Sequence, residues 1–271
     1  MTGSPLGSPR TSSGRSPQSG RRRPAVWAAA LLMGAAGTGV LGGVAHAEDI
    51  DHLTAQQIAD RSRDALLEAR SVHVTSRGDL GRGGKPMSLD LTLDRHGNCK
   101  GSVDLGESRG SVLIVKRGDD VWLKPDADFW KNQVPNGGSA FAAIVGDRYL
   151  KAPADSPRLR GLTKTCDLDT VQKLVSDNAN DDSGTLNKGE KTTLGDTPVV
   201  PLTRMRGDTT LTVDVAATGK PYPVRLTLRG GEGADAVVNL SDFDVPVPRN
   251  TPSASESYDV SALLARTSSP V

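Results

Sequence analysis

Histidine, serine and carboxylate side chains are the groups in this sequence that could perform acid-base or nucleophilic chemistry. Of the four histidines, His73 lies between Val72 and Val74 in an alternating segment and falls on the opposite face. No nucleophile elbow surrounds it, and no spacing marks a pair of catalytic carboxylates. Gly81–Gly84 precedes a predicted strand rather than a helix, which argues against a phosphate-binding loop. We therefore predict no catalytic residue, no cofactor and no enzymatic activity.

The first 47 residues have the three parts of a secretory signal peptide. Residues 1–23 contain five Arg and no acid, a charge-free apolar stretch follows, and Ala45-His46-Ala47 directly precedes Glu48. This order predicts export, with cleavage between Ala47 and Glu48. An uncleaved membrane anchor is the alternative, because about 20 apolar residues can span a bilayer. The Arg21–Arg23 run leaves the Sec and twin-arginine routes both open.

Export would place the two cysteines where a disulfide is stable. Cys99 and Cys166 are therefore expected to pair with each other. Two buried free thiols are the alternative. Because the chain has neither a CxxC motif nor a nearby pair of histidines, we predict no metal site.

Charge and composition narrow the class of protein and its partners. The formal charge is +1, and removing residues 1–47 changes it to −4. Without a broad basic field, nucleic acid is not expected to be a partner. Thirty Gly and 17 Pro at 36% hydrophobic content favour a turn-rich β protein over a helical bundle.

Hydrophobic periodicity predicts one N-terminal helix followed by a long series of strands. Thr54–Gln57 reads as a capping box, and helical spacing continues behind it for about 16 residues. From Met87 to Asp94 apolar and polar residues alternate strictly, and the same alternation recurs in several later segments. Short Gly- and Asp-rich connections predict antiparallel pairing in one sheet of about nine to eleven strands.

Two helices are expected to interrupt the strands, at 139–150 and 167–176. A sheet of this size curls as it twists. We therefore predict an α+β fold, a large curved antiparallel half-barrel with helices covering its concave face. The domain is expected to span 48–250, followed by a Pro/Ser-rich tail at 251–271. The loops 131–138 and 151–165 would gate any cavity beneath the helices.

Several segments together resemble one family. They are Ser71–Thr75, MSLDLTLDRHGNCKG (87–101), VWLKPDADFW (121–130), GKPYPVRL (219–226) and LSDFDVPVP (240–248). Through them residues 52–250 resemble the LppX/LprAFG-type actinobacterial envelope lipoproteins, which share a fold with the LolA/LolB carriers and RseB-type regulators. The resemblance implies a LolA-like half-barrel that carries acylated lipids or lipoglycans in an apolar cavity between sheet and helices.

The chain departs from this family at one motif. Members usually have a lipobox ending in an acylated Cys, whereas Val40–Ala47 contains none and the first cysteine is Cys99. The expected protein is therefore lipoprotein-like but untethered, soluble after signal cleavage, and located in the extracellular or cell-envelope space.

Alternating apolar residues are the candidates for the cavity lining, although such positions more often belong to an ordinary core. With three Trp, three Tyr and three Phe in the whole chain, a curved sheet has few bulky side chains to fill its concavity. The candidates are Leu89, Leu91, Leu93, Val103, Leu105, Phe141, Ile144, Val145, Leu211, Val213, Leu226 and Leu228.

Two functions follow from these observations. The first is a monomeric lipid carrier whose partner is an acylated envelope lipid. The alternative is an RseB-like interaction or sensor module, with a filled core, no lipid ligand and an envelope protein as its partner.

Overall fold

The computed structural model describes residues 50–78, 87–134, 136–179, 184–230 and 235–266. The predicted signal peptide with its Ala47–Glu48 cleavage site lies outside these residues, as does the Gly81–Gly84 turn.

The described residues form six α-helices and one short 3-10 turn at Lys164–Cys166. The helices are α1 (Ala55–Glu68), α2 (Ala127–Gln133), α3 (Gly138–Val145), α4 (Arg160–Thr163), α5 (Leu168–Ala179) and α6 (Ser261–Arg266). The predicted capping box of α1 is confirmed, since Thr54 Oγ1 accepts from Gln57 N and Gln57 Oε1 accepts from Thr54 N. These two bonds satisfy backbone groups that a helix start leaves unpaired.

Thirteen strands of the described chain form one open sheet. In chain order they are β1 (Ser71–Gly78), β2 (Met87–Asp94), β3 (Cys99–Asp104), β4 (Ser111–Arg117), β5 (Asp120–Pro125), β6 (Tyr149–Pro153), β7 (Leu186–Lys188), β8 (Thr192–Leu194), β9 (Thr197–Arg206), β10 (Thr209–Ala216), β11 (Pro223–Arg229), β12 (Ala236–Ser241) and β13 (Ser257–Asp259). Their order across the sheet is β13-β6-β5-β4-β3-β2-β1-β12-β11-β10-β9-β7, and β8 also pairs with β9. The predicted α+β fold with a large curved sheet is confirmed.

Two details of the predicted sheet are wrong. Thirteen strands replace the expected nine to eleven, and β13 pairs with β6 in parallel rather than antiparallel. β13 and α6 form within 251–271, the segment expected to be a Pro/Ser-rich tail. The tail forms a strand because the edge of β6 offers unpaired backbone groups, an effect that local sequence does not show.

The predicted helix at 139–150 is also wrong at its carboxyl end. Helix α3 ends at Val145 and is followed by Gly146, whose φ of 61° takes the chain out of the helix. Tyr149–Pro153 then forms β6 against β5, so that 151–165 is a strand, a turn and α4 rather than one loop.

The hydrophobic core has two parts. The larger one lies on the inner face of β1–β5, where Leu66 of α1 and Leu168 of α5 pack against strand residues such as Leu91 and Ile114. A smaller part joins Ile58 of α1 and the residues before it to β9 and β10. Helix α1 therefore bridges both parts, because its apolar stripe faces the sheet.

The segment that links β12 to β13 crosses the ends of several strands, and we call residues 242–256 the strap. Asp244 N donates to Ser71 O (3.0 Å), and Lys100 Nζ donates to Asn250 Oδ1 (3.2 Å). Farther along, Tyr149 N donates to Glu256 O (2.8 Å). The strap thus carries the chain from the middle of the sheet to its far edge.

Candidate functional site

An apolar pocket of about 430 Å³ lies between the inner face of β2–β6 and two short helices, α2 and α4. Its volume is at the lower end of the 300–1,000 Å³ that is usual for small-molecule sites. Most of its lining is aliphatic or aromatic, and it consists of Met87, Val103, Leu105, Val112, Leu123, Pro125, Phe129, Trp130, Leu150, Arg158, Leu159, Gly161, Leu162 and Thr165.

One wall of the pocket is α2, which is fixed by an acidic N-cap. Asp126 Oδ1 accepts from Phe129 N (2.7 Å), and Asp126 Oδ2 accepts from both N and Oγ of Ser111 (2.8 and 2.7 Å). Burial would raise the pKa of Asp126, but these hydrogen bonds outweigh it, so that the pKa is lowered. The charged cap therefore ties α2 to the start of β4.

The wall also requires a close approach at Gly110. Its φ is 93°, and a Cβ there would lie 2.0 Å from Phe129 N. Only glycine fits such a position, which allows Phe129 and Trp130 to face the pocket. Trp130 also meets the ring of Phe141 from α3, with centroids 5.2 Å apart.

The opposite side of the pocket is formed by residues 158–166, which we call the roof. The roof contains α4 and the 3-10 turn, and it ends at Cys166. A disulfide joins Cys166 to Cys99 of β3, in agreement with the predicted pairing. The roof is therefore covalently tied to β3, one of the strands that form the pocket floor.

The twelve predicted lining residues are distributed over three environments. Val103 and Leu105 line the pocket. Leu91, Leu93 and Leu226 are buried in the larger core, with Leu89 and Val213 packed on its margin. Much of the expected concavity in the described chain is thus filled by the protein's own side chains, and the apolar pocket lies beside β2–β6.

The remaining five candidates lie outside this pocket lining. Val145 is buried, Phe141 contacts Trp130, and Ile144 is 63% exposed. Leu211 and Leu228 are half-buried and face each other across β10 and β11.

Sequence reasoning missed most of the roof and of α2. Leu159 and Leu162 lie in a turn-rich segment without strand or helix periodicity. The signal available for α2 was Asp126 directly before Ala127, which is a typical N-cap position. The segments expected to act as gates fall partly in these elements, since 131–133 belongs to α2 and 160–163 is α4.

His73 has the partners that a hydrolytic site would use, but not their arrangement. Its Nε2 lies 2.8 Å from Asp90 Oδ1 and its Nδ1 lies 3.2 Å from Ser241 Oγ. However, Ser241 Oγ donates to Asp242 Oδ2 (3.3 Å), and that same carboxylate lies 3.4 Å from His73 Nδ1. A carboxylate beside the hydroxyl would oppose the negative charge that forms during acyl transfer. The cluster therefore works as a polar link between β1, β2 and the strap.

Two further cavities have charged side chains in their lining. One of about 680 Å³ lies between α2 and the turn after β3, with Glu107, Arg109, Asp128 and Lys131 in its lining. The other, of about 560 Å³, lies on the outer face of β1–β3 and β12. Both contain charged and hydrogen-bonding side chains that would disfavour an apolar ligand.

Two negative findings apply to the described ranges. No cluster of three or more His, Cys, Asp or Glu in them could hold a metal ion. No helix in them has the length and apolar character needed to span a bilayer.

The fold is similar to that of several solved structures, although no sequence comparison finds a match. No protein-family profile and no curated protein sequence matches the chain. Among solved structures, LprF from Mycobacterium bovis is 15% identical with a TM-score of 0.51, over 74% of this chain and 97% of LprF. Lipoprotein LppX from Mycobacterium tuberculosis is 16% identical with a TM-score of 0.46, over 72% of this chain and 98% of LppX.

A more remote match is a LolA superfamily protein from Nitrosomonas europaea. It is 14% identical with a TM-score of 0.27, over 74% of this chain and 96% of that protein. The match to LprF confirms the fold that the sequence resemblance implied.

Proposed function

We propose that this protein is exported and that it binds the apolar part of an envelope lipid by burial in the pocket between α2, the roof and the inner face of β2–β6. The observation that carries the proposal is the apolar lining of a pocket that is large enough for a small ligand. Binding would involve no covalent step.

Burial of hydrocarbon gives enough free energy for this role. Each methylene group moved from water into an apolar site contributes about 0.8 kcal/mol. Part of this is offset by the lost freedom of the ligand and by ordering of nearby side chains. Because the roof is held by the Cys99–Cys166 disulfide, less of it has to be ordered when the lipid enters.

A second candidate function is an interaction module for an envelope protein. The filled part of the concavity supports it, and so do exposed apolar side chains such as Ile144 of α3 (63%) and Leu263 of α6 (52%). In this case the pocket would stay without lipid.

A filling substitution separates the two functions. Leu105 lines the pocket, and Leu105→Trp would occupy part of its volume. Leu113 lies on the neighbouring strand β4 but is 42% exposed and outside the pocket lining, so Leu113→Trp is the matched control. Circular dichroism would confirm that both variants are folded.

The readout is native mass spectrometry after incubation with a lipid extract. We expect acyl-lipid adducts on the wild type and on the L113W control. L105W should carry at least tenfold fewer adducts. Bare wild-type protein would contradict lipid binding and favour the interaction module. An unchanged lipid load on L105W would place the lipid elsewhere.

A further inference from the structure

The pocket contains one charged group among the described residues that line it, and that group is Arg158. Arg158 and Gly161 are both exposed, so that they mark the side on which the pocket meets solvent. The polar side chain next to them, Thr165, is already engaged, because its Oγ1 donates to Leu162 O (2.6 Å). Arg158 is thus the charged residue on the open side of the pocket.

The cations of the roof lie without carboxylate partners in the described ranges. Several surface cations have a carboxylate partner, for example Lys124 with Asp147 (2.6 Å) and Lys151 with Asp120 (3.0 Å). Arg158, Arg160 and Lys164 have no ion-pair partner in the ranges that the structure describes. No acidic residue lines the apolar pocket either. Arg158 is therefore the charged residue of the pocket lining, and no described carboxylate pairs with it.

The pocket volume limits the size of the apolar part of a ligand. At about 30 Å³ per water molecule, 430 Å³ corresponds to about 14 water-sized units. A methylene group is close in size to a water molecule. One acyl chain of medium length matches this space in size.

We infer that the ligand is a single-chain anionic amphiphile, with its chain in the pocket and its carboxylate or phosphate head paired with Arg158. A guanidinium group suits both heads, since it offers two parallel N–H donors to an oxyanion. This inference rests on the proposed function, because it specifies the chemistry of the lipid that the same pocket binds.

The test compares ligands of equal chain length by displacement of Nile red, an uncharged dye. The ligands are tetradecanoate, 1-tetradecanoyl lysophosphatidate, tetradecanol and dimyristoyl phosphatidylglycerol. We expect both single-chain anions to bind more tightly than tetradecanol, and the two-chain lipid to bind no more tightly than they do. Exposed ion pairs are screened by salt. Added salt should therefore weaken the binding of the two single-chain anions and leave the binding of tetradecanol unchanged.

Two arginine variants locate the effect. Arg158→Gln should raise the Kd of tetradecanoate about threefold to fivefold, the size expected for an exposed ion pair, without changing that of tetradecanol. Arg160→Gln is the matched control, since Arg160 is exposed on the same roof but outside the pocket lining.

Three results would overturn the inference while leaving lipid binding intact. They are equal affinity for tetradecanoate and tetradecanol, equal effects of R158Q and R160Q, and tighter binding of the two-chain lipid. If no ligand displaces the dye and none binds, the proposed function itself fails. Stronger binding of lysophosphatidate than of tetradecanoate, with the same loss in R158Q, would identify a phosphate as the preferred head.

Discussion

The hydroxyl of Tyr222 donates a 3.1 Å hydrogen bond to Oδ2 of Asp244 and so joins the turn before β11 to the strap. The ring of Tyr222 also stacks on that of Phe243, with centroids 3.8 Å apart. Asp244 Oδ1 accepts from Arg70 N at 2.8 Å, which connects the same carboxylate to the residue before β1. One side chain therefore holds three separate segments together at the end of the sheet.

This arrangement predicts that Asp244 contributes to stability at neutral pH and not in acid. The hydrogen bond from Arg70 N, opposed by partial burial and reinforced by Tyr222, lowers the pKa of Asp244. A carboxyl whose pKa is lower in the folded state stabilises the protein above its unfolded pKa of about 3.9, and this contribution is lost as the pH falls through the folded pKa. Asp244→Asn should therefore lower the free energy of unfolding by about 1–2 kcal/mol at pH 7 and by progressively less as the pH falls through the folded pKa of Asp244.

Urea unfolding at several pH values measures this difference. Asn tolerates the positive φ of 65° at position 244, so backbone strain should not obscure the result. Asp155→Asn, at an exposed position, is the control and should give parallel curves with the wild type. A D244N effect of equal size at pH 7 and pH 2 would show that the carboxylate charge is not the cause.

Gly110 and Gly137 provide a matched pair of positions for testing how closely α2 packs against the residue before β4. Both have a φ of 93°, but a Cβ at Gly137 would meet nothing within 4 Å, whereas at Gly110 it would lie 2.0 Å from Phe129 N. Gly137→Ala should cost about 1–2 kcal/mol through backbone strain alone, and Gly110→Ala at least about 2 kcal/mol more. Chemical denaturation measures the free energy of unfolding of both variants. An equal decrease in the two would mean that α2 shifts at little cost to make room for the added methyl group.

The disulfide should affect both stability and lipid load. Closing 67 residues of chain between Cys99 and Cys166 contributes about 4 kcal/mol in the chain-entropy model. Because both side chains are buried, the double variant Cys99→Ala, Cys166→Ala tests this contribution without adding polar groups. We expect a lower urea midpoint and fewer lipid adducts, and reductant should lower the midpoint of the wild type but not of the variant. An unchanged lipid load would show that the roof keeps its position without the covalent link.

Elements with a strong local pattern could be predicted from the sequence. The capping box at Thr54–Gln57, the alternation in β2 and the Cys99–Cys166 pair each depend on neighbouring residues or on the small number of cysteines. The curved sheet followed from the number of alternating segments.

Elements that depend on distant parts of the chain could not be predicted in this way. Helical spacing of apolar residues continues to Leu150, but the chain forms β6 from Tyr149 onward. Pairing with β5 outweighs the local helical preference there. The pocket is lined by Leu159 and Leu162 from a turn-rich segment, and which alternating leucines stay in the packed core is decided by the position of α1 and α5. Periodicity indicates that a residue is buried, not whether its neighbour is protein or empty space.

Tyr258 of β13 pairs in parallel with Leu150 of β6, so one edge of the sheet is completed by a strand from the end of the described chain. Leu150 lines the pocket, and the strand that covers its outer side arrives about a hundred residues later in the chain. Contacts between such distant positions form late, because a long loop must close before they are gained. Until β13 has docked, β6 lacks its neighbour on this flank of the pocket, so the wall that contains Leu150 is complete only after the last strand of the described chain is in place.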